Sequence, residues 1–139
     1  MSFLIDTNVV SELRKSAPDR NVQSWFDSVG SNAIYLSVLT IGEIRMGVER
    51  LRRKDPQQAE VLVAWLDGLQ AAYRDRIVDV DAAIATEWGR INVPDPLPVI
   101  GGLLAATALS KGWTLVTRNI ADVDRCGVRL LNPFHLTVG

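Results

Sequence analysis

The chain has 139 residues, enough for one domain with a hydrophobic core of its own. Apolar residues make up 47% and charged residues 22%, which excludes a disordered or fibrous chain. A net charge of −1 excludes a broad basic field for nucleic acid, and the single cysteine, Cys126, excludes an internal disulfide or a cysteine-based zinc site.

Phe3-Leu4-Ile5 is an apolar run that predicts a short buried strand. Val9, Val10 and Leu13 follow at helical spacing, and the pattern ends near Pro18. Residues 21–29 predict a second helix with Val22, Trp25 and Phe26 on one face and Gly30 as its stop. Residues 33–36 predict the next strand and residues 37–51 a helix closed by a basic run. Residues 57–73 predict a long amphipathic helix with Val61, Leu62, Trp65, Leu66 and Leu69 turned inward. A strand is expected at 77–80, and a helix at 82–91 capped by Asp81. A proline-rich loop leads to an alanine-rich buried helix at 99–110, stopped by Gly112. Strands at 113–116 and 128–131 complete the pattern.

Strands separated by helices imply right-handed crossovers. The expected fold class is therefore α/β: a three-layer α/β/α domain with a short, mainly parallel central sheet of four to five strands, spanning residues 1–139. The start, Met1-Ser2-Phe3, has no basic segment ahead of a long apolar stretch, so no signal peptide is expected. The longest uncharged apolar-rich run, residues 97–110, is too short to span a bilayer. A cytoplasmic location is the expectation. Trp25, Trp65, Trp88 and Trp113 are read as core or interface, Cys126 as a small buried residue, and His135 as a surface or packing residue.

Three acids recur in similar settings. Asp6 ends the first strand, Glu43 lies inside an apolar helical pattern, and Asp122 follows the strand at 113–116. In parallel sheets, ligand sites lie beyond the carboxyl ends of the strands. Converging carboxylates need a cation, and hard oxygen ligands favour magnesium or manganese. Each acid also has a local alternative. Asp6 suits a helix N-cap, Glu43 stands three residues after Thr40 as in a capping box, and Asp122 sits in a turn-like stretch.

Four segments carry a family resemblance over the whole chain: Asp6-Thr7-Asn8-Val9-Val10-Ser11-Glu12-Leu13, residues 37–47 around Glu43, residues 103–109, and Thr117-Arg118-Asn119-Ile120-Ala121-Asp122. Together they resemble the PIN-domain ribonucleases, and within them the VapC-type toxins of the FitB-like branch. The resemblance implies a metal-dependent endoribonuclease toxin that hydrolyses RNA phosphodiesters with Mg2+ or Mn2+. It implies Asp6, Glu43 and Asp122 as catalytic, metal-site acids, with Thr7, Asn8, Thr117 and Asn119 supporting them. It also implies a small antitoxin partner and a homodimer. Arg14, Lys15 and Arg45, with Arg50, Arg52 and Arg53 behind them, are the candidate RNA contacts.

The sequence departs from the family pattern at one place. The third-motif acid falls on Gly101, after Val99-Ile100. Losing that carboxylate removes a ligand and a negative charge, so impaired activity is expected. Two explanations stand: an inactivating single-base change in a gene that harms its host, which is favoured, or a natural glycine. Two rival readings follow. One is a catalytically dead PIN-like module that binds antitoxin or RNA. The other is a phosphoacceptor or nucleotide-binding domain, which lacks support because no glycine-rich loop and no second acid accompany Asp6.

Overall fold

The structure is a computed structural model and describes residues 1–135. Five parallel strands form one sheet in the order β3-β2-β1-β4-β5: β1 Phe3–Ile5, β2 Ile34–Ser37, β3 Ile77–Val78, β4 Thr114–Val116 and β5 Leu130–Leu131. Between them run α1 Thr7–Arg14, α2 Arg20–Val29, α3 Val38–Arg52, α4 Pro56–Ala72, α5 Ala82–Ile91 and α6 Val99–Lys111. The three-layer α/β/α architecture expected from the sequence is present, and the described sheet is wholly parallel.

Strand pleating splits the core in two. Phe3, Ile5, Ile34, Leu36 and Val116 join Val9, Val10, Val22, Trp25, Ile44 and Leu66 on one face. Leu4 and Leu115 join Ile84, Leu104, Ala105, Ala106 and Ala108 on the other. Helices α1 to α4 thus cover one side, and α5 and α6 the other. The alanines of α6 let its backbone lie close to the sheet. Trp25 meets Phe3 edge to face at 5.3 Å, and Trp113 stacks on Tyr35 at 4.1 Å, as core tryptophans do.

Three sequence expectations need correction. Val61 is 59% exposed rather than turned inward. The buried side of α4 is defined by Leu62, Leu66 and Leu69, and a neighbouring residue on a helix lies about 100° away from Leu62. The strand expected at 77–80 stops at Val78, because its partner β2 ends at Ser37, opposite Val78, and turns into α3. Cys126 is half-buried against the α5–α6 core rather than fully enclosed. His135 is exposed, as expected. No described helix is long and apolar enough to cross a membrane.

Candidate active site

The chain runs from β1 outward to β2 and β3, then returns to the other side of β1 for β4 and β5. The switch point of the sheet is therefore the gap between the carboxyl ends of β1 and β4, where a parallel sheet opens a crevice. A cavity of about 590 Å³ lies there, lined by Asp6, Thr7, Asn8, Ser11, Glu43, Gly101, Thr117, Asn119 and Asp122, with Pro98, Val99, Ile100, Leu115 and Val123. Three acids separated by 37 and 79 residues in sequence thus share one cavity.

Asp6 is both a cap and a cavity residue. It is the N-cap of α1, and its Oδ1 accepts from the Thr7 backbone N–H at 2.6 Å. Its Oδ2 accepts from the Thr117 hydroxyl at 2.8 Å and, more weakly, from Asn8 Nδ2 at 3.5 Å. The register explains the first of these contacts. Ile5 pairs with Val116, and the Asp6 N–H donates to the Val116 carbonyl at 2.9 Å, so the next residues on both strands come side by side. Burial raises the Asp6 pKa above the ordinary carboxylate range. The Thr117 and Thr7 hydrogen bonds oppose that rise, while the charges of Glu43 and Asp122 add to it.

Glu43 projects from α3, where the Thr7 hydroxyl donates to its Oε1 at 2.5 Å. A capping box with Thr40 is not formed. Helix α3 starts at Val38 with Ser37 as its N-cap, and Thr40 is fully buried one turn in. Asp122 closes the 3-10 turn Ile120–Asp122 and is exposed at the cavity edge.

The supporting residues tie these elements together. Thr117 Oγ1 accepts from the Asn119 N–H at 3.0 Å and from Asn8 Nδ2 at 3.4 Å, which directs its own proton to Asp6. Asn8 Oδ1 accepts from the Arg118 N–H at 3.2 Å. Thr7, Asn8, Thr117 and Asn119 all line the cavity. The sequence alone does not single out Ser11, which lies in the first motif segment, or Val123, which directly follows the fourth.

Gly101 stands in the first turn of α6, on the cavity wall. A Cβ added there would meet only Val123 Cγ1 at 3.6 Å and Pro98 Cβ at 3.9 Å, ordinary contacts that leave room for a side chain. Its neighbour Gly102 has no such room, since a Cβ would stand 3.2 Å from Leu97 Cβ. The donors present are hard oxygens and so fit a divalent cation in type. Among the described residues, however, no three His, Cys, Asp or Glu side chains close up as a ready metal-ligating group.

The cations expected to meet RNA lie outside this cavity. Lys15 pairs with Glu12 at 2.9 Å, and Arg45 faces Glu49 at 3.7 Å. Arg52 is held by Glu49 and Glu60. Arg14 lies over the Trp65 ring at 5.8 Å and lines a neighbouring groove that shares Thr7, Ser11 and Glu43 with the acid cavity. Helix spacing gives Lys15 and Arg45 carboxylate partners three or four residues away.

A family model described as "PIN domain" matches residues 3–125. The chain belongs to the PIN-domain family. Its curated relatives include VapC ribonucleases and the toxin FitB. It is 33% identical to "VapC ribonuclease Y4jK" of Sinorhizobium fredii, over 96% of this chain and 98% of that one. It is 30% identical to "Toxin FitB" of Neisseria gonorrhoeae, over 96% and 99%. The solved structure of FitAcB from Neisseria gonorrhoeae superposes with a TM-score of 0.88 at 30% identity, covering 96% of this chain and 99% of that chain.

Proposed function

We propose that the chain is the toxin of a toxin–antitoxin pair, an endoribonuclease that hydrolyses RNA phosphodiesters with magnesium or manganese and is impaired by the glycine at 101. The observation that carries this reading is the cavity at the β1–β4 switch point, which gathers Asp6, Glu43 and Asp122 from three separate elements beside an empty place at Gly101. Asp6, Glu43 and Asp122 would hold the ion. When bound, the cation supplies Lewis-acid stabilisation of the phosphate charge and lowers the pKa of an attacking water.

The chain's own residues do the rest. The hydroxyls of Thr7 and Thr117 each donate to one carboxylate, which fixes the rotamers of Glu43 and Asp6 before any ligand arrives. Asn8 and Asn119 lock Thr117, so the orientation of Asp6 is set from β4. Asp6 must lose its proton to act as a ligand, and its raised pKa makes that loss pH-sensitive. Gly101 leaves the α6 side of the cavity without a carboxylate.

A small antitoxin, a homodimer and a cytoplasmic place of action complete the proposal. The antitoxin is supported by a relative named "Toxin FitB" and by a neighbouring structure of FitAcB. The test is cleavage of a mixed RNA substrate, with and without manganese, by this chain and its Gly101→Asp form. Activity confined to the Gly101→Asp form supports an impaired ribonuclease. Equal activity refutes the impairment and keeps the nuclease. Silence from both favours a binding module.

A further inference from the structure

Arg118 stands between two residues of the acid cavity, Thr117 and Asn119, yet neither the metal-site reading nor the list of RNA contacts expected from the sequence uses it. Its backbone is held from two sides. The N–H donates to Asn8 Oδ1 at 3.2 Å, and the carbonyl accepts from Asn132 Nδ2 at 3.5 Å. Its guanidinium carbon lies 4.0 Å from the centroid of the Phe134 ring, and Phe134 is itself buried. A rigid apolar shelf therefore carries one face of an exposed cation.

The charge on that shelf is unclaimed. Lys15, Arg45, Arg52, Arg76 and Arg90 each have a carboxylate within salt-bridge distance, whereas among the described residues Arg118 has none. Glu12, whose ionised form the Arg118 charge favours, is already engaged by Lys15 Nζ at 2.9 Å and by the Asp19 N–H at 2.9 Å and forms no salt bridge with Arg118. A stacked guanidinium keeps its in-plane N–H donors free, in the fork geometry that suits a phosphate. A cavity walled by three carboxylates repels a polyanion, and the net charge of −1 gives no long-range attraction to offset this. A fixed cation on the residue between Thr117 and Asn119 would offset part of that repulsion.

We infer that Arg118, stacked on Phe134 between the cavity residues Thr117 and Asn119 of the chain, binds a backbone phosphate of single-stranded RNA and so aligns the strand beside the acid cavity. The inference rests on the ribonuclease reading and adds the residue that grips the substrate.

The test uses the full chain as it stands, with fluorescence anisotropy of a labelled single-stranded RNA oligonucleotide followed across a salt series. Arg118→Gln is compared with Arg118→Lys and with Arg74→Gln, a control on the exposed turn Arg74–Arg76 before β3, and the melting temperature of each variant is recorded. One phosphate contact to a single strand accounts for about 0.7 of the slope of log K against log salt, so Arg118→Gln should lose that much slope and roughly fivefold in affinity. Arg118→Lys should keep the slope and bind less tightly, and Arg74→Gln should change neither. If Arg118→Gln leaves affinity and slope unchanged while the parent binds, the assignment to Arg118 fails and the ribonuclease reading survives. If affinity falls but the slope does not, Arg118 only supports the fold, and the assignment fails as well. If the parent binds no RNA at any salt concentration, the assignment and the reading beneath it fall together.

Discussion

The two walls of the acid cavity are built differently. On the β1–α1 wall, Asp6, Thr7 and Asn8 are half-buried and cross-linked to Thr117 and Glu43 by hydrogen bonds that span 111 and 36 residues of sequence. On the α6 wall, Gly101 offers no side chain, and Asp122 is exposed on a 3-10 turn. The first wall is over-determined: each carboxylate has a hydroxyl donor, and Thr117 is locked in turn. The second has space where the first has bonds. Pre-organised donors cost little reorganisation when a ligand binds, whereas an open position leaves orientation to the ligand. One wall is thus ordered before any ligand binds, and the other is not.

The largest effect should come from breaking the ordered wall in a chain whose open wall has been filled. In a Gly101→Asp background, Asp6→Asn should lower manganese-dependent RNA cleavage by about a thousandfold, roughly 4 kcal/mol of transition-state stabilisation. Single-turnover kinetics would measure it, and a loss below tenfold would show that the Asp6 wall is dispensable.

Next in size is a contrast within the open wall itself. Gly102→Val should destabilise the fold by about 2 kcal/mol, because the added atoms meet buried Leu97 and Trp88. Urea denaturation at constant m-value would measure it. An unchanged midpoint would mean that α6 can shift away from Leu97.

Thr117→Val sharpens the comparison from the other side. It removes the donor to Asp6 and the acceptor for the Asn119 N–H, and should cost about 1 kcal/mol of stability. It should also raise the Asp6 pKa further, readable by NMR titration of the carboxyl carbon. A lowered pKa would mean that Thr117 does not stabilise the ionised form.

Gly101→Ala should add about 0.5 kcal/mol, since the site is open and alanine is the better helix former. A destabilised variant would show that the space beside Val123 is not free.

The smallest effect concerns pH. Because the Asp6 pKa is raised in the fold, the native state holds a proton that the unfolded chain would release. Without a divalent cation, stability should therefore fall as pH rises from the ordinary carboxylate value through the raised one. Manganese binding has the opposite sign and should strengthen over the same window. Melting temperatures across the acid range, with and without manganese and in Asp6→Asn, would check both signs.

Much of this was legible in the chain. The apolar runs at Phe3–Ile5 and Thr114–Val116, the cap at Asp81 and the stop at Gly112 are local signals, and local sterics and capping produced those elements. The dual role of Asp6 could not be separated in sequence, because a cap and a ligand call for the same residue type. Val61 was misplaced because an apolar residue on a helix flank looks like one at its centre until a partner helix chooses the face.

The sequence by itself determined the strand–helix alternation, the four motif segments, and the absence of an acid at Gly101, since these depend on residue types and on spacings of a few positions. Only the tertiary structure decided which side chains meet. Parallel pairing of β1 with β4 sets Thr117 beside Asp6, and the packing of α3 brings Glu43 to Thr7. The same pairing brings Arg118 beside Asn8, and Phe134 then receives its guanidinium. Those contacts depend on strand register and crossover geometry, which no local pattern encodes, because parallel neighbours are joined only through long connections.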